Sequence, residues 1–102
     1  MSDLILTTRE DADRMVITVS GEMDLASCPT LERATRVAPS SGTPLCLDMS
    51  GVTFMDSSGL NFLLILQRRL REAGSPLVLT GLQEGPKRVL ALTGADAVLL
   101  RT

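Results

Sequence analysis

The chain has 102 residues, 44% of them hydrophobic, with 10 basic and 12 acidic side chains and a formal net charge of -2. That length holds one domain with a modest core, and the mild acidity fits neither a phosphate-neutralising basic face nor a solvated disordered segment. Aromatic residues make up only 2%, with no Trp or Tyr, so the core must be Leu, Val, Ile, Met and Ala, and no nucleic-acid role is expected.

Two short β-rich runs open the chain, Leu4-Ile5-Leu6-Thr7-Thr8 and Met15-Val16-Ile17-Thr18-Val19, separated by the polar turn Glu10-Asp11-Ala12-Asp13. They predict a hairpin. Gly21-Glu22-Met23-Asp24 is expected to turn the chain away into a helix with Pro29 in its first turn. That helix should run to about Ala38, with a thin apolar face of Leu31, Ala34 and Ala38. Pro39-Ser40-Ser41-Gly42-Thr43-Pro44 reads as a loop, too short for an interdomain linker. Leu45-Cys46-Leu47-Asp48-Met49 follows, apolar on both faces apart from Asp48, as a central parallel strand would be. Asp48 either braces the neighbouring loop or bonds local backbone.

The stretch around which the chain is organised is Phe54-Met55-Asp56-Ser57-Ser58-Gly59-Leu60, where a strand-like run ends in an acid and two hydroxyls and opens into the longest helical pattern. Asp56 stands where an N-cap should stand, able to accept from the N–H groups of the first turn. Ser57 falls at about the first helical position, its hydroxyl at the rim of a strand-to-helix turn, where ligands and partners engage parallel sheets. By residue type alone, Asp-Ser-Ser serves equally as a plain helix cap. The helix continues to about Ala73, with Leu63, Leu66 and Leu70 beside Phe62 as a core-facing stripe, and Gly74 ends it. Leu60 and Leu64 lie off that stripe, as partner contacts or as core. Arg68, Arg69 and Arg71 fall in the last turns, where positive charge suits the helix dipole. Pro76-Leu77-Val78-Leu79-Thr80 reads as a strand, Pro86 to Thr93 as a short helix stopped by Gly94, and Ala97-Val98-Leu99-Leu100 as a final strand. The sum is a single α/β domain over residues 1–102, with a five-stranded, mostly parallel sheet.

Catalytic chemistry lacks its parts. The chain has no His to deprotonate Ser57, and Lys87, the only lysine, belongs to a different helix. There is no nucleophile elbow or Gly-rich phosphate cradle, and Cys28 and Cys46 without His make no zinc set. No enzyme, cofactor or metal is expected, and the two cysteines are read as reduced small hydrophobes. The acids Glu22, Asp24 and Asp48 are read as organising loop backbone. No apolar run reaches the ~18 residues of a membrane span, and Met1-Ser2-Asp3 carries no cleavage signal. A cytoplasmic protein with no membrane insertion is the expectation.

Phe54-Met55-Asp56-Ser57-Ser58-Gly59-Leu60 resembles the phosphorylation-site motif of bacterial anti-sigma-factor antagonists, the single-domain STAS proteins. Gly21-Glu22-Met23-Asp24 resembles that family's turn after the second strand, and Leu47-Asp48-Met49-Ser50-Gly51-Val52 its third-strand exit. Lys87-Arg88-Val89-Leu90 with Leu92-Thr93-Gly94 is similar to its last helix. The resemblance implies a STAS-like fold with helices mainly on one face. It also implies an anti-sigma factor serine kinase as partner, a sigma factor freed when the unmodified antagonist captures that kinase, and a serine phosphatase that resets the switch. By position, Ser57 is the phosphoacceptor, and Asp24, Asp56, Ser57, Ser58, Gly59 and Leu60 form the partner-binding set, with Gly59 admitting the partner's backbone. Family members commonly add a helix after the final strand; with the chain ending at Thr102, contacts through such a helix are not expected. Two other readings stay open: an unmodified STAS subunit of a transport complex or stress-signalling scaffold, and a small-ligand domain at the sheet edge.

Overall fold

A computed structural model describes residues 4–36 and 42–100. Strands β1 (Ile5–Glu10) and β2 (Met15–Met23) form the expected hairpin, antiparallel in register from Ile5↔Ser20 to Glu10↔Met15. Helix α1 (Cys28–Thr35) carries the chain to β3 (Leu45–Met55), and α2 (Ser57–Glu72) carries it on to β4 (Leu77–Thr80). Each new strand pairs parallel with the one before, so the described sheet has four strands in the order β1-β2-β3-β4. The chain then closes with α3 (Glu84–Thr93) and α4 (Asp96–Leu99).

Three expectations are corrected. The sheet has four strands among the described residues, because the segment expected as a fifth strand at Ala97–Leu100 is largely α4. Its Val-Leu-Leu run looks like a strand, but Ala95 and Leu99 are the residues it buries, four apart as on one helical face, and Leu99 N–H donates to Ala95 O at 2.8 Å. Gly21-Glu22-Met23 does not turn the chain; it prolongs β2, and the turn begins at Asp24. The first helix ends at Thr35, which is itself buried with its hydroxyl donating to Leu31 O, while Ala38 and residues 39–41 of the expected loop lie outside the described residues.

One face of the sheet holds the core. Met15, Ile17, Val19 and Met23 of β2 and Leu45, Leu47, Met49, Val52 and Met55 of β3 merge into one cluster with Leu31, the α2 stripe, Leu90 and Leu99. Helices therefore bury their apolar faces on one side. The spacing in β3 is uneven, because Thr18↔Asp48 is followed by Ser20↔Gly51, and Gly21↔Val52 by Glu22↔Phe54. At each step β3 spends one residue more than β2, which is a β-bulge that flips the alternation. Gly21, at φ 119°, takes the backbone angle that the distortion needs and that a side chain would oppose. The bulges carry β3 on to Met55, level with Met23, so the parallel strands end together under the start of α2.

Candidate functional site

The site lies at the carboxyl ends of β2 and β3. Asp56 N–H donates to Met23 O at 3.2 Å, tying the exit of β3 to that of β2. Asp56 is in extended conformation, and its Oδ1 accepts from Ser58 N–H at 2.9 Å and Gly59 N–H at 3.2 Å. This is the N-cap read from the sequence, and it satisfies two first-turn donors that would otherwise have no intrahelical partner. Ser57 is the first residue of α2 and is exposed. Ser58 is half-buried, and its carbonyl accepts from the Cys28 thiol at 3.6 Å, which links the starts of α2 and α1.

Gly59 and Leu60 lie inward of the exposed Ser57, and for Leu60 this is the core alternative of the two read from the sequence. Both are buried. A Cβ on Gly59 would lie 2.7 Å from Met23 O and 2.8 Å from Met55 Cγ, so a close approach that needs glycine is made to this chain's own strands. Leu60, 8% exposed, belongs to the core cluster, and Leu64 packs partly buried against it. Together they fix the height and tilt of the turn that presents Ser57.

Asp24 is half-buried on the β2–α1 connection, in a reciprocal clasp with Ser27. Ser27 N–H donates to Asp24 Oδ1 at 3.0 Å, Asp24 N–H donates to Ser27 Oγ at 2.9 Å, and the Ser27 hydroxyl donates to Asp24 O at 3.0 Å. Ser27 is buried and was not singled out from sequence; the signal that could have found it is the ability of Asp and Ser side chains to bond backbone two to three residues away in a turn. Burial pushes the Cys28 thiol up, and the carboxylates of Glu32, Asp56 and Asp24 push it further, so negative charge converges on this corner. Glu22 is exposed and pairs in register with Phe54 at the same end of the sheet. Asp48 stands apart: its Oδ1 accepts from Ser50 N–H at 3.0 Å, the local-backbone alternative, and that bond holds its carboxyl below the usual range.

Of the helix-end arginines, Arg68 and Arg71 are exposed, whereas Arg69 donates to Thr35 O and so bridges the ends of α1 and α2. Among the described residues no helix is long and apolar enough to cross a membrane, and no three His, Cys, Asp or Glu side chains gather as a metal set. The strand order β1-β2-β3-β4 has no reversal, and exposed Ser57 stands at the carboxyl edge of the sheet.

Comparison with known proteins bears on the fold and the family. The chain is similar to the anti-sigma-B factor antagonist of Listeria monocytogenes, 33% identical over 90 residues that span 87% of this chain and 79% of the relative. Its fold matches the crystal structure of an anti-sigma factor antagonist from Mycobacterium paratuberculosis with a TM-score of 0.78 and 31% identity, covering 95% of this chain and 83% of that one. The Bacillus cell fate determinant SpoIIAA in its phosphorylated form shares the fold at a TM-score of 0.70 and 20% identity, over 91% of this chain and 86% of that one. Residues 6–101 match the family described as Mlab, STAS domain, and the chain belongs to the STAS-domain family.

Proposed function

We propose that this chain is an anti-sigma-factor antagonist that works as a phosphorylation switch at Ser57. In the unmodified state the rim made by Asp24, Asp56, Ser57 and Ser58 binds an anti-sigma factor serine kinase, and the sigma factor held by that kinase is released. The kinase, using its own ATP, phosphorylates Ser57 and thereby dissociates; a serine phosphatase restores the free hydroxyl. The chain is a substrate and a binding module, not an enzyme, and it acts in the cytoplasm, where sigma factors meet RNA polymerase.

The observation that carries this reading is the exposed Ser57 hydroxyl on a turn whose backbone is held by Asp56 and Gly59. A phosphate there adds about -1.5 to -2 charge next to Asp56, whose carboxylate, with those of Glu32 and Asp24, already acts on the neighbouring Cys28. For the folded chain, the helix N-terminus favours the phosphate and Asp56 opposes it, each by about 1 kcal/mol at a solvated surface, so stability changes little. In a desolvated interface the uncompensated charge costs several kcal/mol, and ~3 kcal/mol is about a hundredfold in affinity. The names of the similar antagonists support the same assignment.

Incubation with the purified kinase and ATP, followed by intact mass and peptide mapping, tests the reading. One phosphate on Ser57 is expected, abolished in Ser57→Ala and retained in Ser58→Ala. Uptake by Ser57→Ala at wild-type stoichiometry would overturn the assignment.

A further inference from the structure

A groove of about 360 Å³ runs between α1 and α2, beginning at Ser58. Phe62 and Leu66, nearly buried, line it together with polar Thr35, Ser58 and Asn61, and it carries two large apolar side chains left in water, Leu25 at 74% and Ile65 at 58% exposure. Large apolar side chains left exposed around a groove that also holds buried apolar and polar groups are the anatomy of an anchor pocket in a protein interface. The groove is also electrically polarised. At the Ser58 end, Glu32 lines it, close enough to Cys28 to raise that thiol along with Asp56 and Asp24. At the far end the lining changes to Arg36, which caps α1, and Arg69 of α2. Neither Glu32 nor Arg36 takes part in an ion pair among the described residues.

Resting on the function proposed above, we propose that this groove is the anchor site for the kinase. It receives an apolar side chain of the kinase, with a basic residue beside it toward Ser57 and an acidic one toward Arg36. A kinase that brings ATP to Ser57 must lie over the end of the groove, because Ser58 lines it. The same kinase must bring polyphosphate toward a corner rich in carboxylates, which favours a partner that supplies positive charge there and takes its hold from apolar contact further on. The two ends of opposite charge then fix the direction in which the segment lies.

The test uses full-length protein and the purified anti-sigma serine kinase of the same organism. Ile65→Asp and Leu25→Asp, both at exposed positions, should fold and melt like wild type yet bind the kinase at least roughly tenfold more weakly, as loss of an interface anchor does. Leu92→Asp, on α3 at 80% exposure, is the control and should bind within about twofold of wild type. Amide exchange on the complex should slow along both 28–36 and 58–69. If Ile65→Asp and Leu25→Asp bind as wild type while the kinase still phosphorylates Ser57, the groove proposal falls and the switch stands. Should wild type neither bind the kinase nor become phosphorylated, both fall together. A free wild-type dimer that Ile65→Asp converts to monomer, with kinase binding unchanged, would identify a second copy as the occupant and overturn the proposal.

Discussion

Gly59→Ala should loosen the turn that presents Ser57, and the expected size of the effect follows from geometry. The new Cβ would stand 2.7 Å from Met23 O and 2.8 Å from Met55 Cγ. Met55 can rotate away in part, but Met23 O is backbone and already accepts from Asp56 N–H, so relief requires α2 to lift off β2 and strain that bond. Overpacking of this kind costs about 1–3 kcal/mol, while replacing a helical Gly by Ala returns up to ~1 kcal/mol of helix propensity. The net expectation is a loss of about 1–2 kcal/mol, or roughly 4–15 °C in Tm for a domain of this size. Gly85→Ala supplies the contrast, since its Cβ would meet only Thr53 O at an ordinary 3.6 Å within α3; there stability should rise by a few tenths of a kcal/mol. Urea unfolding and calorimetry of the pair decide the matter. A Gly59→Ala variant as stable as wild type, or two variants shifting in the same direction, would refute the argument from close approach.

Asp56→Ala removes the acceptor of two N–H groups and should cost about 1 kcal/mol in urea unfolding, against less for Asp56→Asn, which keeps a cap oxygen; equal losses would mean that the side-chain bonds contribute nothing. Cys28 should alkylate with iodoacetamide more slowly at pH 8 than an unhindered thiol. Its raised pKa leaves less thiolate, and the rate should climb only at more alkaline pH. Glu32→Gln should speed the reaction by removing one of the carboxylates that raise it, whereas an unchanged rate would mean that the Glu32 charge does not reach the thiol.

Much of the site was legible because it is local. Strand, acid, hydroxyls and helix follow one another without a break from Phe54 onward, and the cap geometry at Asp56 depends on residues two and three places away. The α2 stripe was equally plain, since Leu63, Leu66 and Leu70 recur at helical spacing and all are buried. What escaped depends on neighbours distant in sequence. The two bulges that carry Val52 and Met55 into the core arise from the pairing of β3 with β2, and no alternation within β3 announces them. Gly59 looks like any flexible residue until Met23 is seen against it, thirty-six positions earlier in the chain. The last four-residue helix failed to declare itself because Val98 and Leu100 suit a strand, while its place is decided by Ala95 and Leu99 reaching the core. Ile65 and Leu25 read as ordinary apolar residues; only the fold leaves them in water beside a groove.

The central claim is that phosphate on Ser57 acts on the interface and not on the fold. It is tested most directly by measuring the kinase dissociation constant by calorimetry for the unmodified and the Ser57-phosphorylated chain, with Tm and amide exchange recorded on the same two samples. Affinity should fall by about a hundredfold or more, while Tm shifts by no more than a few degrees and protection across 57–72 is retained. Loss of protection in α2 on phosphorylation, or a drop in stability as large as the loss in binding free energy, would contradict the account and make the switch conformational.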